Sequence, residues 1–251
     1  MADMLHLPYG TIAEKKGCDF MALQQRYDVV EDKVAQACIA CGRNRDDVCI
    51  IGVSKTVDLD AVEEAIAAGV HDFGENRPAE LARKFDAFPK ERWHFIGNIQ
   101  SRQLSSVVGR ACLIHSLYER KHAEKIDRLA AEAGIVQDVL IEVNDGEENK
   151  QGLEPDALFE MLAFCHGLKH VRVRGLMTMA LRGDLQSARA TFADLAILRD
   201  TMNSKLAASG MADMELRELS MGMSDDYLEA IPEGATMVRV GRAIFSDDYA
   251  G

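Results

Sequence analysis

Short apolar runs alternate with amphipathic segments along most of the chain. Runs at 48–54, 71–75, 93–97, 112–117, 139–144, 171–179, 218–221 and 237–245 read as β-strands. Between them, apolar residues recur at helical spacing over 59–68, 79–85, 120–133 and 188–208, and 104–108 reads as a further short helix. Leu23, Tyr27, Val30, Val34 and Ala37 place an earlier helix at 21–41, stopped by Gly42. Eight strands separated by helices is the arithmetic of a single (β/α)8 TIM barrel. The strands are apolar on both faces, as a buried parallel sheet requires. A doubly wound open sheet is the alternative. It would carry a glycine-rich dinucleotide fingerprint after an early strand, and the sequence has none. Residues 1–20, broken by Pro8, Gly10 and Gly17, read as an N-terminal extension to a barrel spanning 21–251.

Composition narrows the class. The 251 residues suit one large domain, and 47% are apolar, enough for a substantial core. A formal net charge of -12 disfavours nucleic acid and anionic membranes as partners, but leaves room for one small anion in a local pocket. Six cysteines lack the spacing of a disulfide framework, and the Cys38-x-x-Cys41 pair lies in a helical stretch with no matching second pair, so reduced thiols are expected. The opening residues show no secretory pattern, and no apolar run is long enough to span a bilayer. The expectation is a cytoplasmic protein.

In such a barrel the chemistry sits at the C-terminal ends of the strands. The first strand ends in Lys55, and a neutral amine there attacks an aldehyde where an ammonium does not. The second ends Gly74-Glu75-Asn76-Arg77, which offers Asn76 as a ligand contact and Arg77 as a partner for Glu75 or a phosphate. His94, inside the third strand, reads as a hydrogen-bonded core residue rather than a base. Met177 and Met179 in the sixth suit packing or the wall beside a flat ring. The last two strands carry the strongest local pattern. Gly222 and Gly241 let backbone amides approach an anion, and loops after strands seven and eight frequently bind phosphate. Ser220 and Thr236 add hydroxyls, and Arg239 or Arg242 adds charge. Ser224 reads as the N-cap of a following helix, with Asp225 and Asp226 turned away from the anion.

Seven ordered stretches carry a family resemblance: GVSKT at 52–56, FGENR at 73–77, WHFIGNIQSR at 93–102, the K-x-G of Lys150 to Gly152, VRGLMTM at 173–179, LSMGMSDD at 219–226 and TMVRVGRAIF at 236–245. Together they resemble the pyridoxal 5'-phosphate (PLP) homeostasis protein family, whose barrel is similar to the N-terminal domain of alanine racemase, a fold type III PLP protein. The resemblance implies that Lys55 holds PLP as a Schiff base and that Asn76 lies beside the cofactor. It further implies that Ser220, Met221 and Gly222, with Gly241 and Arg242, bind the phosphate, and that Arg239 faces the pyridine nitrogen. Many relatives carry a small hydroxyl residue at position 242, so the arginine is a departure, and its backbone amide is the part expected to contribute.

Fold type III enzymes add a β domain that supplies a second catalytic residue, and the sequence ends soon after the eighth strand. An arginine at the pyridine nitrogen offers only donors and weakens the ring as an electron sink. The resemblance therefore implies a monomeric carrier of PLP in vitamin B6 and amino-acid homeostasis, with apo PLP-dependent enzymes as partners and no robust catalysis. A PLP-dependent amino-acid racemase is the alternative, and a cofactor-free barrel enzyme acting on a sugar phosphate is a third reading.

Overall fold

A computed structural model describes residues 22–144, 151–180 and 184–249. The apolar runs become eight parallel strands closed in sequence order, with β1 paired to both β2 and β8. They are β1 (Cys49–Val53), β2 (Asp72–Glu75), β3 (Arg92–Phe95), β4 (Leu113–Leu117), β5 (Gln137–Glu142), β6 (Val171–Met177), β7 (Glu218–Met223) and β8 (Met237–Val240). The TIM barrel expectation holds. Outside the sheet run α1 (Leu23–Ala40), α2 (Leu59–Ala67), α3 (Pro78–Ala87), α4 (Arg120–Ala133), α5 (Leu158–His166), α6 (Leu185–Ala208), α7 (Tyr227–Ala230) and α8 (Arg242–Phe245). Between β3 and β4 stands a 3-10 helix, Ser101–Ser106, where an α-helical segment at 104–108 was expected.

Most of the core lies between the sheet and the helices, where Phe73, Trp93, Leu81, Ile126, Leu162 and Phe192 are fully buried. A smaller apolar cluster, Leu113, Leu140 and Met177, lies apart from it, with Met179 and Met237 packed against it. The helix ring is closed by α1. The segment after β8 forms only one helical turn, and α1 packs against α8, α7 and α2 in its place. Arg26 fastens this contact by donating to the Ile244 carbonyl at 2.8 Å and pairing with Asp247.

Two sequence expectations need correction. The run 237–245 is not one strand. It stops at Val240, and the amides of Ile244 and Phe245 bond back to the Gly241 carbonyl to start α8. Ser224 does not cap α7. Asp226 holds that position, and its Oδ1 accepts from the Met223 amide at 2.5 Å. Residues 1–20, with Cys18, and Lys150 lie outside the described residues. Among those residues no helix is long and apolar enough to cross a membrane, no three His, Cys, Asp or Glu side chains are grouped to hold a metal ion, and Cys38, Cys41, Cys49, Cys112 and Cys165 are free thiols.

Candidate binding site at the barrel mouth

Lys55 stands two residues beyond the end of β1, at the C-terminal mouth, with its side chain exposed. The residue before it is held on every side. The Ser54 amide donates to the Gly74 carbonyl at 3.1 Å, and its hydroxyl donates to Glu75 Oε1 at 2.7 Å. Its carbonyl accepts from Lys84 Nζ at 2.8 Å and from the Val57 amide at 3.0 Å. Lys84 and Glu75 form an ion pair of 2.5 Å with both side chains wholly buried. A buried charge pair of this kind fixes geometry, because neither member tolerates the loss of the other. Its effect here is to set the backbone from which Lys55 projects.

Asn76 follows β2 and is pressed against the next strand's exit. A Cβ on Gly97 would lie 2.1 Å from the Asn76 carbonyl oxygen, so only glycine fits there. Ser116 Oγ donates to the Gly97 carbonyl at 2.5 Å and ties β4 to the same point. Asn76 Oδ1 is buried and has no hydrogen-bond partner, a costly state for a carbonyl oxygen unless a donor arrives. Arg77 is exposed, and the carboxylate it was expected to pair with is taken by Lys84 instead.

The loops after β7 and β8 meet. Gly222 has φ +89, and a Cβ there would sit 2.8 Å from both Ala230 Cβ and Tyr227 Cα. Gly222→Val is therefore expected to cost about 2–4 kcal/mol, from a left-handed backbone forced on a branched residue plus overpacking, as measured by chemical denaturation. Ser224 Oγ accepts from the amides of Gly241 and Ala243 at 3.2 and 3.3 Å, joining the two loops. Arg242 turns away. Its guanidinium pairs with Asp225 and lies 5.4 Å from the centre of the Tyr249 ring, which leaves its backbone as the part nearest the loop junction. Burial raises the Asp226 carboxyl above its usual range, and its oxygen is committed to the Met223 amide. Neither acid is aimed freely at an anion.

Below the mouth, Arg239 is buried, donating to Ser220 Oγ at 2.7 Å and to the Thr178 carbonyl at 2.9 Å. Burial lowers its guanidinium to about 10, with Asp226 and Glu142 opposing the shift, so it carries charge at neutral pH. Ser220 is fully buried and is engaged from the other side by His115 Nδ1 at 2.8 Å. Its hydroxyl thus sits with Arg239 rather than at the loop junction. Met221 points its side chain into the main core, leaving its backbone to the turn. Met177 is buried in the small apolar cluster. Thr236 is spent at the start of β8, donating to Glu218 Oε2 and accepting from the Leu219 amide.

The residues present fit a ring bearing an aldehyde and a phosphate. One amine, one unpartnered amide oxygen, two glycine turns and a buried guanidinium share one end of the barrel. Lys84, Ser224 and His115 were not singled out from the sequence as parts of it.

These features define a barrel of the alanine racemase N-terminal domain type, and that family matches residues 39–248. The chain belongs to the pyridoxal phosphate homeostasis protein family. A pyridoxal phosphate homeostasis protein of Aquifex aeolicus (strain VF5) is 37% identical over 227 residues, covering 89% of this chain and 97% of the relative. A solved structure of PipY from Synechococcus elongatus PCC7942, with PLP bound, is 31% identical with a TM-score of 0.78, covering 89% of this chain and all of that one. Alanine racemase of Clostridium difficile 630 shares the fold, with a TM-score of 0.67 at 16% identity, and this chain spans 56% of its length. The relatives that are 37% and 35% identical carry the name of a homeostasis protein, not of an enzyme.

Proposed function

We propose that this chain binds PLP as a Schiff base on Lys55 and serves as a carrier in vitamin B6 and amino-acid homeostasis. The observation that carries the reading is the convergence of the Lys55 turn, Asn76, the Gly222 and Gly241 turns and Arg239 on one barrel end. In this reading the backbone at Met221, Gly222, Gly241 and Arg242 binds the phosphate, with Ser224 holding the two loops in register. Asn76 donates or accepts beside the ring, and Met177 supports the pocket from below. Arg239 meets the pyridine nitrogen with Ser220 fixing its guanidinium. The cofactor supplies an electrophilic aldehyde and an electron sink, which a cationic donor at the ring nitrogen weakens. Residues 21–251 act as one PLP-binding barrel and 1–20 as an extension, in a cytoplasmic monomer that delivers PLP to apo enzymes.

Titration with PLP tests this. The expected result is a visible band near about 420 nm that saturates with one PLP per chain. Incubating the loaded protein with amino acids in deuterated water is expected to give no catalytic exchange of the α-hydrogen. Exchange at catalytic rates would favour a racemase, and a protein that stays colourless with PLP would overturn the assignment.

A further inference from the structure

A hydrogen-bonded chain crosses the inside of the barrel beneath the proposed cofactor pocket. Asp72 Oδ1 lies 3.0 Å from His94 Nε2, and His94 Nδ1 lies 2.9 Å from His115 Nε2. His115 Nδ1 lies 2.8 Å from Ser220 Oγ, which accepts from Arg239 at 2.7 Å. All five side chains are buried. The two imidazoles meet edge to face, with ring centres 5.1 Å apart. At its far end the chain reaches a cavity of about 750 Å³ at the barrel floor, lined by Asp72, His94, Arg92, Cys49 and Cys112 among others.

Donor and acceptor counting allows this chain two directions. With His94 doubly protonated, its Nε2–H goes to Asp72 and its Nδ1–H to His115 Nε2. His115 then carries its hydrogen on Nδ1 and donates to Ser220. Ser220 Oγ accepts from both His115 and Arg239, and its own hydrogen is left for an acceptor elsewhere. Remove one proton from His94 and the order reverses. Asp72 accepts only, so His94 keeps Nε2–H and bares Nδ1. His115 turns its hydrogen to Nε2, and Ser220 donates inward to His115 Nδ1. Four hydrogens become three, and the proton lost is the one gained by solvent.

We infer that His94 and His115 are positioning residues for the cofactor pocket, their shared protonation state deciding whether Ser220 accepts from or donates to the chain and so how Arg239 is presented to a pyridine nitrogen. This rests on the PLP reading for the identity of the ring, but the relay itself stands on the protein alone. Cys49 on β1, Asp72 on β2, Arg92 on β3 and Cys112 before β4 surround His94, and Arg239 on β8 faces His115, itself opposed by Asp226 and Glu142. Burial is the largest single influence and works against charge on His94, but the hydrogen bonds it makes to Asp72 and Cys112, with the charges of those two groups, together outweigh it and raise the ring to about 9. Burial, then the charges of His94 and Arg239, hold His115 well below the ordinary histidine value. The first direction therefore holds at neutral pH and the second above about pH 9.

The test has two arms. Nitrogen-15 spectra of histidine-labelled protein without cofactor are expected to show His94 protonated on both nitrogens at about pH 7 and His115 on Nδ1, changing together as His94 titrates. Finding His115 protonated on Nε2 at neutral pH would overturn the relay, whether or not PLP binds. In the second arm, PLP affinity is compared at about pH 7 and about pH 10 for the unsubstituted protein and for His94→Gln. The part of the change owed to the relay is about three- to tenfold, the scale of one redirected hydrogen bond, and is lost in His94→Gln. Ser220→Ala, which leaves the histidine pair intact, is expected to keep the titration in the spectra and lose that same part of the affinity change. Identical pH profiles in all three proteins would overturn the proposal. Failure of the unsubstituted protein to capture PLP would instead strike the functional reading, leaving the spectra to judge the relay.

Discussion

Lys84→Met is expected to destabilise the protein by about 3–5 kcal/mol, because it strands the Glu75 carboxylate in a fully enclosed site. Glu75 Oε2 already has no hydrogen-bond partner, so the carboxylate depends on Oε1, which receives both Lys84 and Ser54. For a chain of this length that loss corresponds to a melting temperature lower by roughly 10 °C. The companion change Glu75→Gln in the same chain removes the orphaned charge, and the double variant is expected to recover part of the stability. The loss would not stop at the fold. Lys84 also binds the Ser54 carbonyl, so its removal frees the turn that carries Lys55, and PLP capture in the surviving folded protein should weaken. Thermal unfolding with and without PLP separates the two effects. Unchanged stability in Lys84→Met would mean the ion pair is replaceable and that the turn is held by its backbone bonds alone.

Lys55→Ala carries the other large effect, and of the opposite kind. Its side chain is exposed and makes no contact that the fold needs, so stability is expected to stay within about 0.5 kcal/mol of the parent. Covalent capture of PLP is expected to vanish, since the other amine at that turn, Lys84 Nζ, is wholly buried and held by Glu75 and the Ser54 carbonyl. The loops after β7 and β8 that we propose bind the phosphate remain, so weak non-covalent binding of PLP should persist and should be displaced by inorganic phosphate. A visible Schiff base band of full amplitude in Lys55→Ala would assign the chemistry to a different lysine.

Much of this arrangement was legible in the sequence because a parallel barrel writes itself as apolar runs at strand spacing. Arg120–Ala133 has a polar face and an apolar stripe, and the helix occupies those bounds. Leu158–His166 gives no such signal, because LFEMLAFCH is apolar almost all round and periodicity gives no phase to a helix of that kind. The mouth residues were legible where glycine or lysine interrupts an apolar run. Lys84 was not, since a lysine on an amphipathic helix ordinarily faces water. Its place three residues after buried Leu81 is the one local sign that it lies on the inward stripe. His94 reads from the sequence as a hydrogen-bonded core residue, and it is buried with both ring nitrogens partnered. Its partner His115 is 21 residues away and Ser220 a further 105, and contacts that a barrel makes across its interior leave no pattern along the chain. Ser224 shows how a local rule misleads. Its position before α7 suits a cap, but two amides from the β8 loop compete for the hydroxyl and take it.

The most direct test is borohydride reduction of the protein saturated with PLP, followed by proteolysis and mass mapping. Reduction fixes a Schiff base as a secondary amine on the residue that formed it. The expected result is a single pyridoxyl-phosphate adduct, on the peptide containing Lys55. An adduct spread over several surface lysines, or placed wholly on another residue, would contradict the account.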